Sequence, residues 1–356
     1  MKKPVILHII NTLGTGGAEV LLRDTVASLE QYDHVVCYLY GADDLVSSFV
    51  PHPVYKLHHE GWKDFNSTVS KLKSIIEIHD VAIVHAHLLD ATILSRQAVP
   101  DHVKYFFTIH NILSKDAFDA NRLSRIAEQF TYKKDQYIIS VSREALKDYQ
   151  KSIGIKGPSF ILYNYVHQKY FNLDYDYDQD ITPCFRLVAV GNLRRQKNYP
   201  MILEALSLLR DLPVSLDIYG SGDMHDELQS IIYNKKINAR LMGRADDVSK
   251  ILLQYHAYIM GSLFEGFGIS PMEAMAAGMP VILSDLDVFR ELAEDVPRYF
   301  DPEDASSIAD AIRFVLENWM EMKYRAMRGK RLVHRKASKE VYLNKLIEIY
   351  NHEEVK

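Results

Sequence analysis

Leu263 to Ser284 reads LFEGFGISPMEAMAAGMPVILS. A strand end runs into a glycine-rich turn, a short helix, a glycine stop and a second apolar strand. Gly266 and Gly268 leave the turn's backbone bare, so its N–H groups can approach a ligand closely. Ser270 fits an N-cap, Pro271 the first helical position and Gly278 the residue past the end. A helix start of this kind is a ready anion site. Glu265 falls on the turn and Glu273 about one helical turn further on, so both carboxylates can face one crevice. The Ser270/Glu273 spacing is also that of a capping box, in which the glutamate only bonds back to the helix start. That reading leaves Glu265 unexplained.

Outward from this stretch, strand and helix patterns alternate. Residues 4 to 10 form an apolar run leading to TLGTGGAE and a helix with Leu22, Val26 and Leu29 on one face. Further strands are expected at 34–40, 81–85, 105–109, 137–141 and 160–163. Residues 172–183, NLDYDYDQDITP, interrupt the pattern with acidic residues and a proline. The alternation restarts at 186–190 and continues with strands near 214–219, 239–242, 257–260 and 281–283. Alternating β and α predicts an α/β chain of two doubly wound, Rossmann-like domains, with ligands at the carboxyl ends of the strands. The boundaries expected are 1–168, a linker at 169–184, a second domain at 185–335 and a closing helical stretch at 336–356 that packs back toward the first domain. Two such strand-end edges facing one another would form an interdomain cleft.

Composition bounds the function. A chain of 356 residues with 47% hydrophobic and 25% charged residues is that of a globular protein large enough for two domains. A net charge of −5 argues against nucleic acid as a partner. Two cysteines, Cys37 and Cys184, supply neither a disulfide framework nor a cysteine zinc site, and the histidines show no metal-binding spacing. The apolar start is short, contains His8 and lacks a cleavage pattern, so a cytoplasmic protein is expected. The basic stretch from Lys323 to Lys339 is an ordinary solvated face, or else the place for weak peripheral contact with an anionic membrane.

The glutamate pair, seven residues between its members, resembles the signature of retaining glycosyltransferases of family 4 (glycosyl transferases group 1), which have the GT-B fold of two facing Rossmann-like domains. The resemblance covers nearly the whole chain: GTGGAE near the start, GNLRRQKN after the acidic segment, YGSGD at the next strand end, and EGFGISPMEAMAAGMPVI. It implies transfer of a sugar from a nucleoside-diphosphate donor, UDP by family frequency, to a saccharide or lipid-linked glycan in cell-surface polysaccharide synthesis. No cofactor and no catalytic metal are implied. Glu273 would bond the ribose hydroxyls and Glu265 the transferred sugar. Arg195 and Lys197, with Arg194 as a third cation, would clamp the diphosphate. Gly220, Gly243, Phe267 and Gly268 are further donor-site positions. Gly16 and Gly17 would close a helix N-terminus over the phosphates. His110 aligns with the histidine that members place beside the transferred sugar, and His85 and His87 are candidates for the acceptor side.

Some features depart from the family pattern. Asn111 stands where members often have Asp, Asn192 where many carry Arg, and NYVH at Asn164–His167 replaces the usual NGVD. GTGG lacks the third glycine of a dinucleotide fingerprint. DYDYDQD has Gln179 and Phe185 where a calcium loop needs Gly and Glu. A sugar-nucleotide epimerase on the same architecture and a non-catalytic nucleotide-sugar-binding protein remain as alternatives at this level.

Overall fold

The computed structural model describes residues 2–352. The chain divides into two compact units: residues up to Asn164 together with the chain from Tyr342 onward, and Tyr165–Val341.

The first unit is a seven-stranded parallel sheet. Its strands are β1 (Val5–Ile10), β2 (Asp33–Tyr38), β3 (Val54–Lys56), β4 (Val81–His87), β5 (Lys104–Ile109), β6 (Tyr137–Ser140) and β7 (Ser159–Ile161), in the order β3-β2-β1-β4-β5-β6-β7. The second unit has β8 (Phe185–Val190), β9 (Val214–Tyr219), β10 (Ala239–Gly243), β11 (Ala257–Met260), β12 (Val281–Ser284) and β13 (Arg298–Phe300), ordered β10-β9-β8-β11-β12-β13 and also parallel. Every residue of β1, β11 and β12 is buried, as expected of parallel strands covered on both faces. Two strands escape periodicity. β3 and β13 are three residues each and only partly buried, too short for an alternating signal to stand out.

In each sheet the strand order reverses once, between β1 and β4 and between β8 and β11. Loops leaving neighbouring strands at such a point diverge and open a crevice. The loops after β8 and β11 are the ones that carry Arg194, Arg195, Lys197 and Glu265.

The segment 169–184, expected as a linker, is instead part of the second unit, which begins at Tyr165. Tyr175 is buried and donates to the His256 carbonyl at 2.6 Å, and Tyr177 donates to the Gly278 carbonyl at 3.0 Å. Lys330 Nζ bonds the Leu173 carbonyl at 2.7 Å. Asp174, Asp176, Asp178 and Asp180 all face outward between these inward residues. The acidic string is thus an extended strap with a period of two, and the tyrosines fasten it.

Ile308, Ile312 and Val315 of the helix Ala305–Glu317 enter the core of the second unit with Phe185, Ile202 and Ile218. The closing helix, Lys339–Tyr350, starts three residues later than expected and seats Tyr342, Leu346, Ile349 and Tyr350 in the first unit. Of the stretch assigned to 336–356, residues 353–356 lie outside the described residues. No helix among the described residues is long and apolar enough to cross a membrane.

Candidate active site

The glycine turn and its helix differ in detail from the sequence expectation. The helix spans Ile269–Ala276 and its N-cap is Gly268, in the left-handed region at φ +78°. Ser270 is therefore not a cap and Pro271 is the third helical residue. The Ser270 hydroxyl donates to the Val190 carbonyl at 3.0 Å and accepts from Tyr258 at 2.8 Å, tying the helix start to the end of β8. With its serine engaged elsewhere there is no capping box, and Glu273 is released from that role. Gly278, at φ +87°, does follow the helix end. A side chain at position 268 would meet the Phe289 ring at 2.5 Å as well as an unfavourable backbone conformation. Gly268→Ala is expected to cost at least about 1–2 kcal/mol, read as a drop of several degrees in melting temperature; an unchanged melting curve would contradict this geometry.

Glu273 is half-buried and accepts a hydrogen bond from the Tyr170 hydroxyl. Burial pushes its carboxyl up to about 7, partly offset by the Tyr170 bond and by Lys169, while Asp247 adds to the rise. Lys169 and Asp247 are themselves paired at 2.8 Å. Tyr170 and Lys169 lie on the short helix Gln168–Phe171. No motif marked them.

The loop after β8 and the loop after β11 are latched together. Leu263 N–H donates to the Gln196 carbonyl and the Gln196 side chain to the Phe264 carbonyl, each at 2.9 Å. Lys197 Nζ lies 2.5 Å from Glu265 Oε1, and the buried Ser262 hydroxyl donates to the same oxygen at 2.7 Å. Glu265 Oε2 has no hydrogen-bond partner among the described residues, so the carboxylate is held by one oxygen and presents the other. Arg194 and Arg195 are exposed, and their side chains have no ion pair or hydrogen bond among the described residues. Lys197 is thus already matched by a carboxylate, while two cations beside it are unspent.

Gly220 has a packing role beneath this latch. A Cβ there would lie 1.9 Å from the Gly191 carbonyl oxygen, so only glycine lets the loop after β9 lie against the loop after β8. Gly243 accepts the Gly220 N–H at 2.8 Å and sits at φ +73° in open space. Phe267 turns its ring into the core.

In the first unit, Gly16 caps the exposed start of the helix Gly17–Val26, and Thr12 donates to Glu19 Oε1 in its first turn at 2.7 Å. His110 stands just past β5, with Nε2 3.4 Å from His87 Nδ1, and burial lowers its pKa to about 4, so it is neutral at pH 7. It lines a cavity of about 310 Å³ with Asn11, Asp90, Thr108 and Asn111. Asn11 and Asp90 come from opposite sides of the β1/β4 switch point and hydrogen-bond each other at 3.2 Å. Nothing in their local sequence marked them. Asn111 donates to Asp116, which lines the same cavity, at 2.8 Å.

His85 and His87 do share one face of β4, but both are buried and neither lines that cavity. His85 gives one ring nitrogen to the Tyr350 hydroxyl at 2.6 Å and the other to Thr108 at 2.7 Å. The closing helix covers the face on which an acceptor pocket was expected. His8, His85 and His87 bring ring nitrogens within 4.8 Å of one another. The His85 and His87 ring centroids lie 4.1 Å apart with the planes tilted by 36°, both nitrogens of His85 are occupied, and no carboxylate joins them. Burial holds all three well below the usual histidine range, which suits a packed cluster of neutral rings.

Comparison with known proteins agrees with this arrangement. Residues 15–169 match the model of Glycosyltransferase Family 4, and residues 184–332 that of Glycosyl transferases group 1. Each half of the chain thus belongs to a glycosyltransferase family, one for each Rossmann-like unit. The chain is 26% identical over 208 residues to an uncharacterized glycosyltransferase of Methanocaldococcus jannaschii, a match covering 53% of each chain. It is 24% identical over 214 residues to the O-antigen chain mannosyltransferase RfbU of Salmonella typhimurium, covering 58% of this chain and 59% of the relative. It therefore spans little more than half the length of these relatives. Among solved structures, Anabaena HepE in complex with UDP and glucose superimposes with a TM-score of 0.82 at 17% identity, over 98% of this chain and 99% of that one. At that identity the likeness is one of fold, and the fold is GT-B.

Proposed function

We propose that the chain is a retaining glycosyltransferase that moves a sugar from a nucleoside-diphosphate donor, a UDP-sugar foremost, to a saccharide or lipid-linked glycan acceptor in cell-surface polysaccharide synthesis. The observation that carries this reading is the latch at the β8/β11 switch point. It sets a carboxylate with one free oxygen beside two unpaired arginines and a glycine-capped helix start. A donor sugar needs hydroxyl acceptors, and a diphosphate needs cations and N–H dipoles. Both kinds of group lie on one sheet edge. The UDP and glucose in the HepE complex and the mannosyl transfer in the name of RfbU support the same substrate class.

In this reading Glu273 accepts from the ribose hydroxyls and Glu265 Oε2 from the donor sugar. Arg194, Arg195 and Lys197 stabilise the diphosphate as its bond to the anomeric carbon breaks, charge compensation that calls for no catalytic metal. The acceptor hydroxyl attacks from the face the diphosphate leaves, and a departing phosphate oxygen takes its proton. In the first unit the candidate acceptor pocket is the cavity that Asn11 and Asp90 line together with His110. The reaction takes place in the cytoplasm.

The test combines UDP binding with pH. UDP raises the melting temperature, whereas the stabilisation by GDP and ADP is smaller. Ribose binding favours the ionised form of Glu273, so affinity for UDP rises as pH is raised toward about 7 and then levels; Glu273→Gln lacks that rise. In the empty protein the sign is opposite. The folded state holds the Glu273 proton more tightly than the unfolded chain, so the wild type loses stability relative to Glu273→Gln as pH climbs toward about 7. UDP released from a UDP-sugar marks a transferase; epimer formation without release would mark an epimerase. No stabilisation by any nucleotide would sink the donor site.

A further inference from the structure

β8 outruns its neighbour β11. The two pair only at Leu187 with Ala257 and at Val188 with Tyr258, so Val190 and Gly191 pass beyond that ladder. Carbonyls left in this position need other donors, and three hydroxyls supply them. Ser270 donates to the Val190 carbonyl at 3.0 Å, and the Tyr258 hydroxyl stands 3.2 Å from the same oxygen. Tyr258 makes its shorter contact with the Ser270 oxygen, to which it donates at 2.8 Å. Tyr199 donates to the Gly191 carbonyl at 3.1 Å. Both tyrosines are fully buried, and burial holds each phenol far above its ordinary range, so each keeps the proton it donates.

These bonds join two pieces of the donor edge. Val190 and Gly191 open the loop that carries Arg194, Arg195 and Lys197, and Tyr199 closes it at the head of the helix Tyr199–Ser207. Ser270 is the second residue of the helix Ile269–Ala276, about one turn before Glu273. One serine hydroxyl therefore ties the start of that helix to the root of the cation loop.

What the helix start offers depends on its aim. Pro271 has no N–H, and the N–H groups of Ile269 and Ser270 have no hydrogen-bond partner among the described residues. A hydrogen bond weakens steeply as its donor turns off line, and the helix dipole acts only over the first turn. Two backbone donors and two exposed arginines on separate segments meet one diphosphate only if the segments keep a fixed spacing.

We propose that Ser270, backed by Tyr258, is a positioning residue that aims the Ile269 and Ser270 N–H groups and the Arg194–Lys197 loop at the same diphosphate. The inference rests on the donor site proposed above and adds a residue whose hydroxyl is spent on the protein rather than on substrate.

The test is calorimetric titration with UDP and with UMP, alongside thermal melting. Ser270→Ala weakens UDP binding by about tenfold and UMP binding by much less, because the terminal phosphate carries the most charge and loses the most. The melting temperature stays within a few degrees of the wild type. Ser270→Thr keeps the hydroxyl and recovers the wild-type ratio of UDP to UMP affinity. Tyr258→Phe falls between, since Ser270 then retains its own bond to Val190. No UDP binding by the wild type removes the donor site itself and the clip with it. UDP binding that Ser270→Ala leaves unchanged overturns the clip alone. So does an equal loss for UDP and UMP, or a Ser270→Thr protein no better than Ser270→Ala, because a merely structural serine would weaken both nucleotides alike.

Discussion

Lys197→Ala lowers turnover of the donor sugar nucleotide by about 10²–10³-fold, the usual effect of removing one preorganised charge from a developing anion. Two losses combine. In the proposed reaction the diphosphate loses a cation, and Glu265, buried with Lys197 Nζ 2.5 Å away, loses its ion-pair partner. Ser262 still holds Oε1, so the carboxylate keeps its place but not its charge balance. Glu265→Gln removes a charge-assisted acceptor worth about 1.5–3 kcal/mol, a loss of roughly tenfold to a hundredfold. Because the two side chains touch, the double variant falls short of the product of the single effects. Steady-state rates at saturating donor, with circular dichroism as a check on folding, provide the readout. Wild-type turnover in a folded Lys197→Ala protein would remove the latch from the active site.

Arg96→Ala destabilises the first unit by about 3–5 kcal/mol, the cost of leaving a buried charge without its partner. Both side chains of the Arg96–Glu128 pair are almost fully buried. The Arg96 guanidinium stacks over Phe107 at 4.5 Å, so packing is lost along with charge. Thermal unfolding should move down by on the order of ten degrees. Replacing both partners with apolar residues, Arg96→Met with Glu128→Leu, should cost much less than either single loss, since no lone charge is then buried. Equal costs for the single and double changes would mean that the pair does not anchor the helix Arg122–Thr131, on which Glu128 lies.

The sequence placed eleven of the strands at or within a few residues of their observed bounds, because apolar runs punctuated by glycine loops leave few other readings. It also put Arg194, Arg195, Lys197 and Glu265 on loops that leave strand ends. Where it failed, a contact between distant residues decided the outcome. Ser270 and Glu273 have capping-box spacing, but the serine is drawn to Val190 across the sheet, eighty residues away. The acidic segment does carry a legible signal, tyrosines alternating with aspartates, yet only the acceptors on Gly278 and His256 make it a strap. His85 and His87 were correctly set on one face of β4. His85 is covered by Tyr350, on a helix more than 250 residues further along the chain.

The stretch LFEGFGISPMEAMAAGMPVILS determined by itself that a glycine turn joins a strand to a short helix and that two carboxylates attend it. Local backbone preference and spacing suffice for that, since a bare backbone and a fixed helical rise act over a few residues. Tertiary structure decided which oxygen of Glu265 is free, that Lys197 is its partner and that Tyr170 bonds Glu273. Those relations follow from β8 pairing with β11, and from a strap and a short helix folding back on the second sheet. They depend on three-dimensional distance between groups far apart in the chain, which no local pattern encodes.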